Sequence, residues 1–300
     1  MKRMPDFLVI GAARAGTTAL YSYLKQHPGI FMPSAKEPNF FAFEGQELAC
    51  KGPGADYINN SRNTLDAYCG LFADAPDGAL LGEASPLYLF AEQAPLRIHH
   101  HIPKVPMVAI LRNPIEQAYS HFMYATKQRI EPLESFTEAL QQEEARLAER
   151  WQPLFGYSSF PRYATQLQRF YDVFPKEQIL VRTYEDFQTS PAEVLHDIFA
   201  HIGADPGFAP DMSHRPNAGG VPKNRLFQDF LMKPNPITRA IGMVVPQEAR
   251  LKIRDRLARA NLKGDTEMPA PARVMLIERL ASEIHALQRL IGRDLSHWLR

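Results

Sequence analysis

Short unbroken apolar runs alternate with helically spaced ones over most of the chain. Phe7 to Ile10 is such a run, closed by Gly11, the pattern of a strand buried on both faces of a parallel sheet. In TTALYSYLKQH, which follows at residues 17–27, Leu20, Tyr21 and Leu24 recur at helical spacing and Pro28 supplies the stop. Further strands are predicted over Ile30 to Met32, over LLGE ending near Glu83 before a turn at Ser85 and Pro86, over Val108 to Leu111, and over Ile179 to Val181. Asn113 and Pro114 form an N-cap and first-turn pair for a helix carrying Ile115, Ala118, Tyr119 and Phe122.

Helices are also predicted from Phe136 to Arg150, along the Tyr163 to Phe174 stretch, and from Pro191 to Ile202. The charges of the 136–150 helix read as a solvated face. Residues 44–70 show little periodicity and read as a long connection with a short helix near Thr64 to Leu71. Residues 204–237 are loop-rich, and 247–300 read as mostly helical. Strands alternating with helices predict an α/β fold with a P-loop-like central parallel sheet flanked by helices and a helical C-terminal region. A single domain over 1–300 is expected, its core at about 6–203 with the later segments packed on it.

Composition narrows the function classes. The 34 basic and 33 acidic residues leave a net charge of +1, which argues against a duplex nucleic-acid surface. A chain of 300 residues buries enough surface to need no disulfide or metal staple. Cys50 and Cys69 are too few for a disulfide framework and read as inert packing or loop residues. The positive start MKRMPDFLVIGAAR is broken by Arg14 too early for a secretory signal, and no apolar stretch approaches the ~18 residues of a membrane span. The expectation is a cytoplasmic protein with no membrane span and no nucleic-acid partner; the oligomeric state stays open.

The chemistry concentrates in a few segments. GAARAGTT at residues 11–18 has the glycine spacing of G-x-x-x-x-G-K-[ST] between a strand and a helix, with Thr17 in the lysine position. Glycines admit an anion to the backbone, helix-terminal amides face it, and Arg14 inside the loop supplies a cation. The bland alternative is a tight turn with a solvated arginine. Arg112 lies at the carboxyl end of a predicted strand, where open α/β sheets bind ligands, and Ser120 lies two turns into the next helix. By composition alone, Lys36 and Glu37 in KEPNFF read as a surface ion pair. His99 to His101 read as surface, because consecutive histidines on a helix cannot all face one metal.

FLVIGAARAGTTALYSYLKQHPGIFMPSAKEPNFF resembles the 5'-phosphosulfate loop region of PAPS-dependent sulfotransferases, closest to the carbohydrate and heparan-sulfate-type branch and its bacterial relatives. VAILRNPIEQAYSHF resembles that family's 3'-phosphate signature, and GEASPLYLF and ILVRTYEDF sit where the family has similar segments, in order from about residue 6 to 203. The resemblance implies a donor, 3'-phosphoadenosine 5'-phosphosulfate, and metal-free transfer of its sulfuryl group to a hydroxyl or amine of a small-molecule, glycan or lipid acceptor.

It further implies that Arg14, Ala15, Gly16, Thr17 and Thr18 hold the 5'-phosphate end and that Arg112 and Ser120 grip the 3'-phosphate. Arg14 replaces the lysine of most members; a guanidinium stabilises a leaving phosphate but is no proton donor. Glu37 matches the general base on the acceptor, with Lys36 keeping it ionised. Relatives often have histidine where Asn39 stands, and some have lysine where Ala84 stands. Lys223 and Arg225, in RPNAGGVPKNRLF, are read as phosphate contacts from a closing loop, with a disordered basic loop as the equal alternative. Glu83, Ser85 and Tyr88 are candidates for the acceptor cleft, as are Tyr124, Trp151, Phe155 and Tyr157 as stacking surfaces, against simple packing. Two alternative functions remain open to the sequence: a P-loop kinase or triphosphatase, opposed by Thr17 and by Arg112 where a magnesium-binding acid is expected, and a non-catalytic nucleotide-binding protein.

Overall fold

Five short strands carry the fold: β1 (Phe7–Gly11), β2 (Ile30–Phe31), β3 (Leu80–Ala84), β4 (Met107–Leu111) and β5 (Ile179–Thr183). They pair in parallel in the order β2-β3-β1-β4-β5, with Val9 opposite both Ala84 and Val108, and Val108 opposite Leu180. Every residue of β1 and β4 is buried, as unbroken apolar runs require of strands covered on both faces. The computed structural model describes residues 3–213 and 267–300, together with 221, 222, 224, 227, 257, 262 and 263.

The chain leaves β1 toward β2 and β3 on one side, then recrosses to β4 and β5 on the other. That reversal opens a crevice at the carboxyl end of β1, where ligands bind in open α/β sheets. The helices around the sheet are α1 (Thr17–Leu24), α2 (Phe40–Phe43), α3 (Asp56–Asn59), α4 (Leu65–Cys69), α5 (Leu87–Phe90), α6 (Ala94–His101) and α7 (Pro114–Lys127). They continue with α8 (Phe136–Gln141), α9 (Glu143–Ala148), α10 (Tyr163–Tyr171), α11 (Tyr184–Thr189), α12 (Pro191–Ile202) and α13 (Ala270–Ile291). A two-stranded antiparallel pair, β6 (Val221–Pro222) and β7 (Leu262–Lys263), lies outside the main sheet.

The Asn113 cap forms as expected: its Oδ1 accepts from the Ile115 amide at 2.9 Å, and Pro114 opens α7. Helix α13 buries Ala272, Leu276, Leu280, Ile284 and Leu287 along one stripe, packing on α10 and α7. The C-terminal segment is tied back twice. Asn113 Nδ2 donates to the Trp298 carbonyl at 3.1 Å, and Arg293 pairs with Asp186 on α11, holding that carboxyl down at about 2.

The charged 136–150 stretch departs from its solvated reading. It divides into α8 and α9, and two of its charges are buried. Glu143 accepts from Ser158 N, Ser158 Oγ and Ser159 N at 2.8–2.9 Å. Arg146 makes two parallel bonds of 2.9 Å to Glu131, whose Oε2 also accepts from the Tyr157 hydroxyl at 2.7 Å. The partners lie 15 residues or more from these charges along the chain, so the local pattern carries no sign of them. This cluster anchors the 152–158 segment, part of which walls the crevice. Removing one partner strands a buried charge, so Arg146→Ala is expected to cost about 3–5 kcal/mol in urea unfolding. A loss below about 1 kcal/mol would place the pair outside the cooperative core.

Candidate active site

The loop that closes β1 is shaped by two left-handed residues, Arg14 (φ 63°) and Gly16 (φ 86°). At Gly16 a Cβ would also stand only 3.1–3.2 Å from the rings of Tyr184 and Phe187, so close packing adds to the left-handed backbone in favouring glycine. Gly16 caps α1 without a side-chain acceptor, so the first-turn amides, at the positive end of the helix dipole, are available to an anion.

Three cations converge here. Arg14 lays its guanidinium 4.5 Å above the Tyr124 ring and donates from Nε toward Ser120 Oγ at 3.4 Å. Burial lowers its pKa, with Arg112 adding to the effect; an arginine in this setting keeps its charge. Arg112, just past β4, donates to the Arg14 carbonyl at 3.1 Å and stands 5.0 Å from the Tyr184 ring. Lys36 Nζ donates to Thr18 Oγ1 at 2.7 Å and pairs with Glu37 Oε1 at 2.9 Å. The second carboxylate oxygen of Glu37 accepts from the Tyr57 hydroxyl. Lys36 thus joins the loop after β1 to the acid of the next loop, and the pair is no free surface ion pair.

Arg14, Gly16, Thr17, Thr18, Lys36, Glu37, Arg112 and Ser120 all line one cavity of about 890 Å³. Ala15 is the exception among the loop residues: it is fully buried, and its amide donates to the Ala12 carbonyl at 3.2 Å. Lys223 and Arg225 lie outside the described residues.

Glu83, Ser85 and Tyr88 do not line the crevice. All three are fully buried behind it. Ser85 Oγ donates to Glu83 Oε1 at 2.5 Å and accepts the Asn39 amide at 3.0 Å, while the Tyr68 hydroxyl donates to Glu83 Oε2 at 3.2 Å. Asn39 is itself buried with φ 56°, so this cluster pins the backbone two residues beyond Glu37, also left-handed at φ 60°. Burial, partly offset by the Ser85 hydrogen bond, raises the Glu83 carboxyl to about 7. A raised carboxyl stabilises the fold below its unfolded value and loses that contribution as pH climbs through the folded value. Between pH 5 and 8 the wild type is expected to lose roughly 2–3 kcal/mol relative to Glu83→Gln, read as a difference in unfolding midpoints. Parallel pH profiles for the two proteins would contradict this.

Of the aromatic candidates, Tyr124 faces the cavity, whereas Phe155 and Tyr157 are packed, 2% and 1% exposed. Trp151 packs edge-on against Phe155. His101 is not a surface residue: it is partly buried, bonds Glu44 at 2.7 Å and abuts Phe40. The crevice also contains residues with no role predicted from sequence: Tyr57, Asp56, His121, Gln128, Gln152 and Tyr184. Asp56 and Tyr57 sit in the aperiodic 44–70 segment, whose shape is set by contacts with distant residues: the Lys51 amide donates to the Arg150 carbonyl at 2.8 Å, and Gln152 Nε2 to the Pro53 carbonyl at 3.1 Å.

A parallel sheet whose first strand ends in a glycine loop at the switch point, with cations gathered on that loop, defines an anion-binding α/β protein of P-loop-like form. Comparison with known proteins narrows the class. The family model described as "Sulfotransferase family" matches residues 5–209. The chain is 29% identical over 217 residues to human "Bifunctional heparan sulfate N-deacetylase/N-sulfotransferase 3", covering 69% of this chain and 23% of that protein. It is 31% identical over 121 residues to mouse "Heparan sulfate glucosamine 3-O-sulfotransferase 6", 40% of this chain and 30% of that protein. Among solved structures, a sulfotransferase from Alicyclobacillus acidocaldarius superposes with a TM-score of 0.77 at 30% identity, covering 99% of this chain and 100% of that one. This chain belongs to the sulfotransferase family. It spans less than a quarter of the first of these curated relatives and less than a third of the second. Among the described residues, no helix is long and apolar enough to cross a membrane.

Proposed function

We propose that this chain transfers the sulfuryl group of 3'-phosphoadenosine 5'-phosphosulfate to a hydroxyl, less readily an amine, of a small-molecule, glycan or lipid acceptor. One observation carries the reading: Lys36 bridges Thr18 of the anion loop to the Glu37 carboxylate, so a base stands at the mouth of a phosphate site. The residues present fit the donor. Uncapped amides at Gly16 to Thr18 suit its 5'-phosphate end, and Arg112 with Ser120 suits its 3'-phosphate.

The bound donor supplies a sulfuryl group activated by a phosphate leaving group. Glu37 takes the proton of the acceptor hydroxyl as its oxygen bonds to sulfur and the bond from sulfur to the bridging oxygen breaks. The products are a sulfate ester, 3',5'-adenosine bisphosphate and the protonated carboxyl. A carboxylate oxygen has two acceptor positions, so Oε2 can receive that proton while still held by Tyr57. Arg14 and Lys36 balance the charge that develops on the leaving phosphate, and positioning with electrostatics supplies most of the rate. We take residues 1–300 as one domain acting without a metal in the cytoplasm, a compartment in keeping with its two free cysteines.

Incubation with sulfur-labelled donor and EDTA tests the reading. Label is expected in an acceptor from a mixed panel of sugars, alcohols and phenols; no labelled acceptor there, with magnesium-dependent hydrolysis of ATP in a parallel incubation without EDTA, would contradict it.

A further inference from the structure

Tyr57 stands where the proposed chemistry needs an acceptor. In sulfuryl transfer the attacking hydroxyl lies against the base, its proton aimed at a carboxylate oxygen. The Tyr57 hydroxyl has that placement: it donates to Glu37 Oε2, while Oε1 is held by Lys36, whose Nζ also reaches Thr18 of the anion loop at 2.7 Å. Three hydrogen bonds in series therefore join the phenol oxygen to the loop that suits the donor's 5'-phosphate end.

Four tyrosines line the cavity: Tyr23, Tyr57, Tyr124 and Tyr184. The Tyr184 hydroxyl accepts from Gln188 Nε2 at 3.1 Å, and the Tyr124 ring lies under the Arg14 guanidinium. Two phenols elsewhere bond carboxylates, Tyr68 on Glu83 and Tyr157 on Glu131, but both are packed in the core and neither lines the cavity. Tyr57 combines a place in the cavity wall with a hydroxyl on the base. Its segment is also tied to the loop of that base. The Arg62 amide donates to the Pro38 carbonyl at 2.8 Å, and Asn39 Nδ2 donates to Ser61 Oγ at 3.1 Å. A hydroxyl fixed in this way needs no binding step and reacts at a high effective concentration. Burial of the phenol, with the Glu37 carboxylate beside it, raises its pKa well above the usual value, so it stays protonated and needs a base in order to react.

We propose that Tyr57 is a sulfation site of this chain: with donor bound and no external acceptor present, the chain transfers the sulfuryl group to its own Tyr57 phenol. The inference rests on the sulfuryl-transfer reading above. The phenol oxygen bonds to sulfur, its proton passes to Glu37 Oε2, and the bond from sulfur to the bridging oxygen breaks. The products are a tyrosine O-sulfate on this chain, 3',5'-adenosine bisphosphate and the protonated Glu37 carboxyl, which returns its proton to water. The esterified oxygen has no further proton to give, so each chain reacts once.

The full chain is titrated with 3',5'-adenosine bisphosphate, then incubated with sulfur-labelled donor without added acceptor and digested with trypsin. Label approaching one group per chain is expected in the peptide GPGADYINNSR, residues 52–62, placed on Tyr57 by fragmentation mass spectrometry. Excess bisphosphate is expected to suppress it. The labelling rate constant is expected to stay within about twofold as protein concentration rises about tenfold, as a reaction within one chain requires. Tyr57→Phe is expected to abolish the label and Glu37→Gln to slow it by about 10²-fold or more, both with bisphosphate affinity within about twofold of wild type. No label on Tyr57, label only on another residue, or a rate constant that rises in proportion to protein concentration, in a protein that binds the bisphosphate, each overturns this inference and leaves the donor reading standing. Failure to bind the bisphosphate overturns the donor reading, and this inference with it.

Discussion

Glu37→Gln is expected to lower kcat by about 10²–10⁴-fold while leaving the affinity for 3',5'-adenosine bisphosphate within about twofold of wild type. The carboxamide still accepts from Lys36 at the position of Oε1, so the link from Lys36 to Thr18 and the anion loop survives. What it loses is the capacity to take a proton from the attacking oxygen. The left-handed backbone at Glu37, held through Asn39 and Ser85, keeps the substituted side chain in place. Steady-state kinetics with calorimetry on the same preparation separates the two quantities. Unchanged turnover would remove Glu37 from the chemistry, and a parallel loss of nucleotide affinity would make it a structural residue.

The second large effect is expected at Arg14. Its guanidinium lies over the Tyr124 ring and donates from its Nε edge to the Ser120 hydroxyl, and its carbonyl holds Arg112. Arg14→Gln puts a shorter, neutral carboxamide in place of the guanidinium and so removes a desolvated charge from the end of the site where the proposed transfer builds negative charge. A fall of about 10²–10³-fold in kcat/KM is expected, most of it in kcat. Arg14→Lys restores the charge but neither the planar stack nor the fork of donors, so it is expected to recover part of the loss. Full activity in Arg14→Gln would show that the loop amides and Lys36 suffice for the leaving group.

How far the sequence reaches follows the range of the interactions. β1 and β4 were legible because both faces of each strand are covered, which demands an unbroken apolar run. The anion loop was legible because glycine spacing between a strand and a helix is a local requirement, and α7 because its cap and proline are adjacent. Helix α5 was not read, since the four residues Leu87–Phe90 are too short to show a period. Glu143 and Arg146 looked solvated because what buries them, Ser158 and Glu131, is supplied by distant parts of the chain. Glu83, Ser85 and Tyr88 are candidates for the acceptor cleft from the resemblance alone, which carries no sign of their burial. Glu83 and Ser85 turn instead into a hydrogen-bonded cluster under the Glu37 loop, with no cation among their bonded partners.

The same distinction governs the site. Arg14, Arg112 and Ser120 could be named from two local signatures, and the structure brings them within bonding distance of one another. The rest of the crevice could not be named, because Tyr57, Gln128 and Gln152, which line it, come from three segments that share no motif and meet only in the folded chain.

The central claim is that the loop after β1 and the arginine after β4 form one nucleotide site. Calorimetric titration with 3',5'-adenosine bisphosphate, on the wild type and on Arg112→Ala, tests it most directly. The predicted result is micromolar binding to the wild type without added metal, weakened by about 10²-fold in the variant as a bidentate phosphate contact is lost. No binding to the wild type, or equal binding to both proteins, would contradict the account.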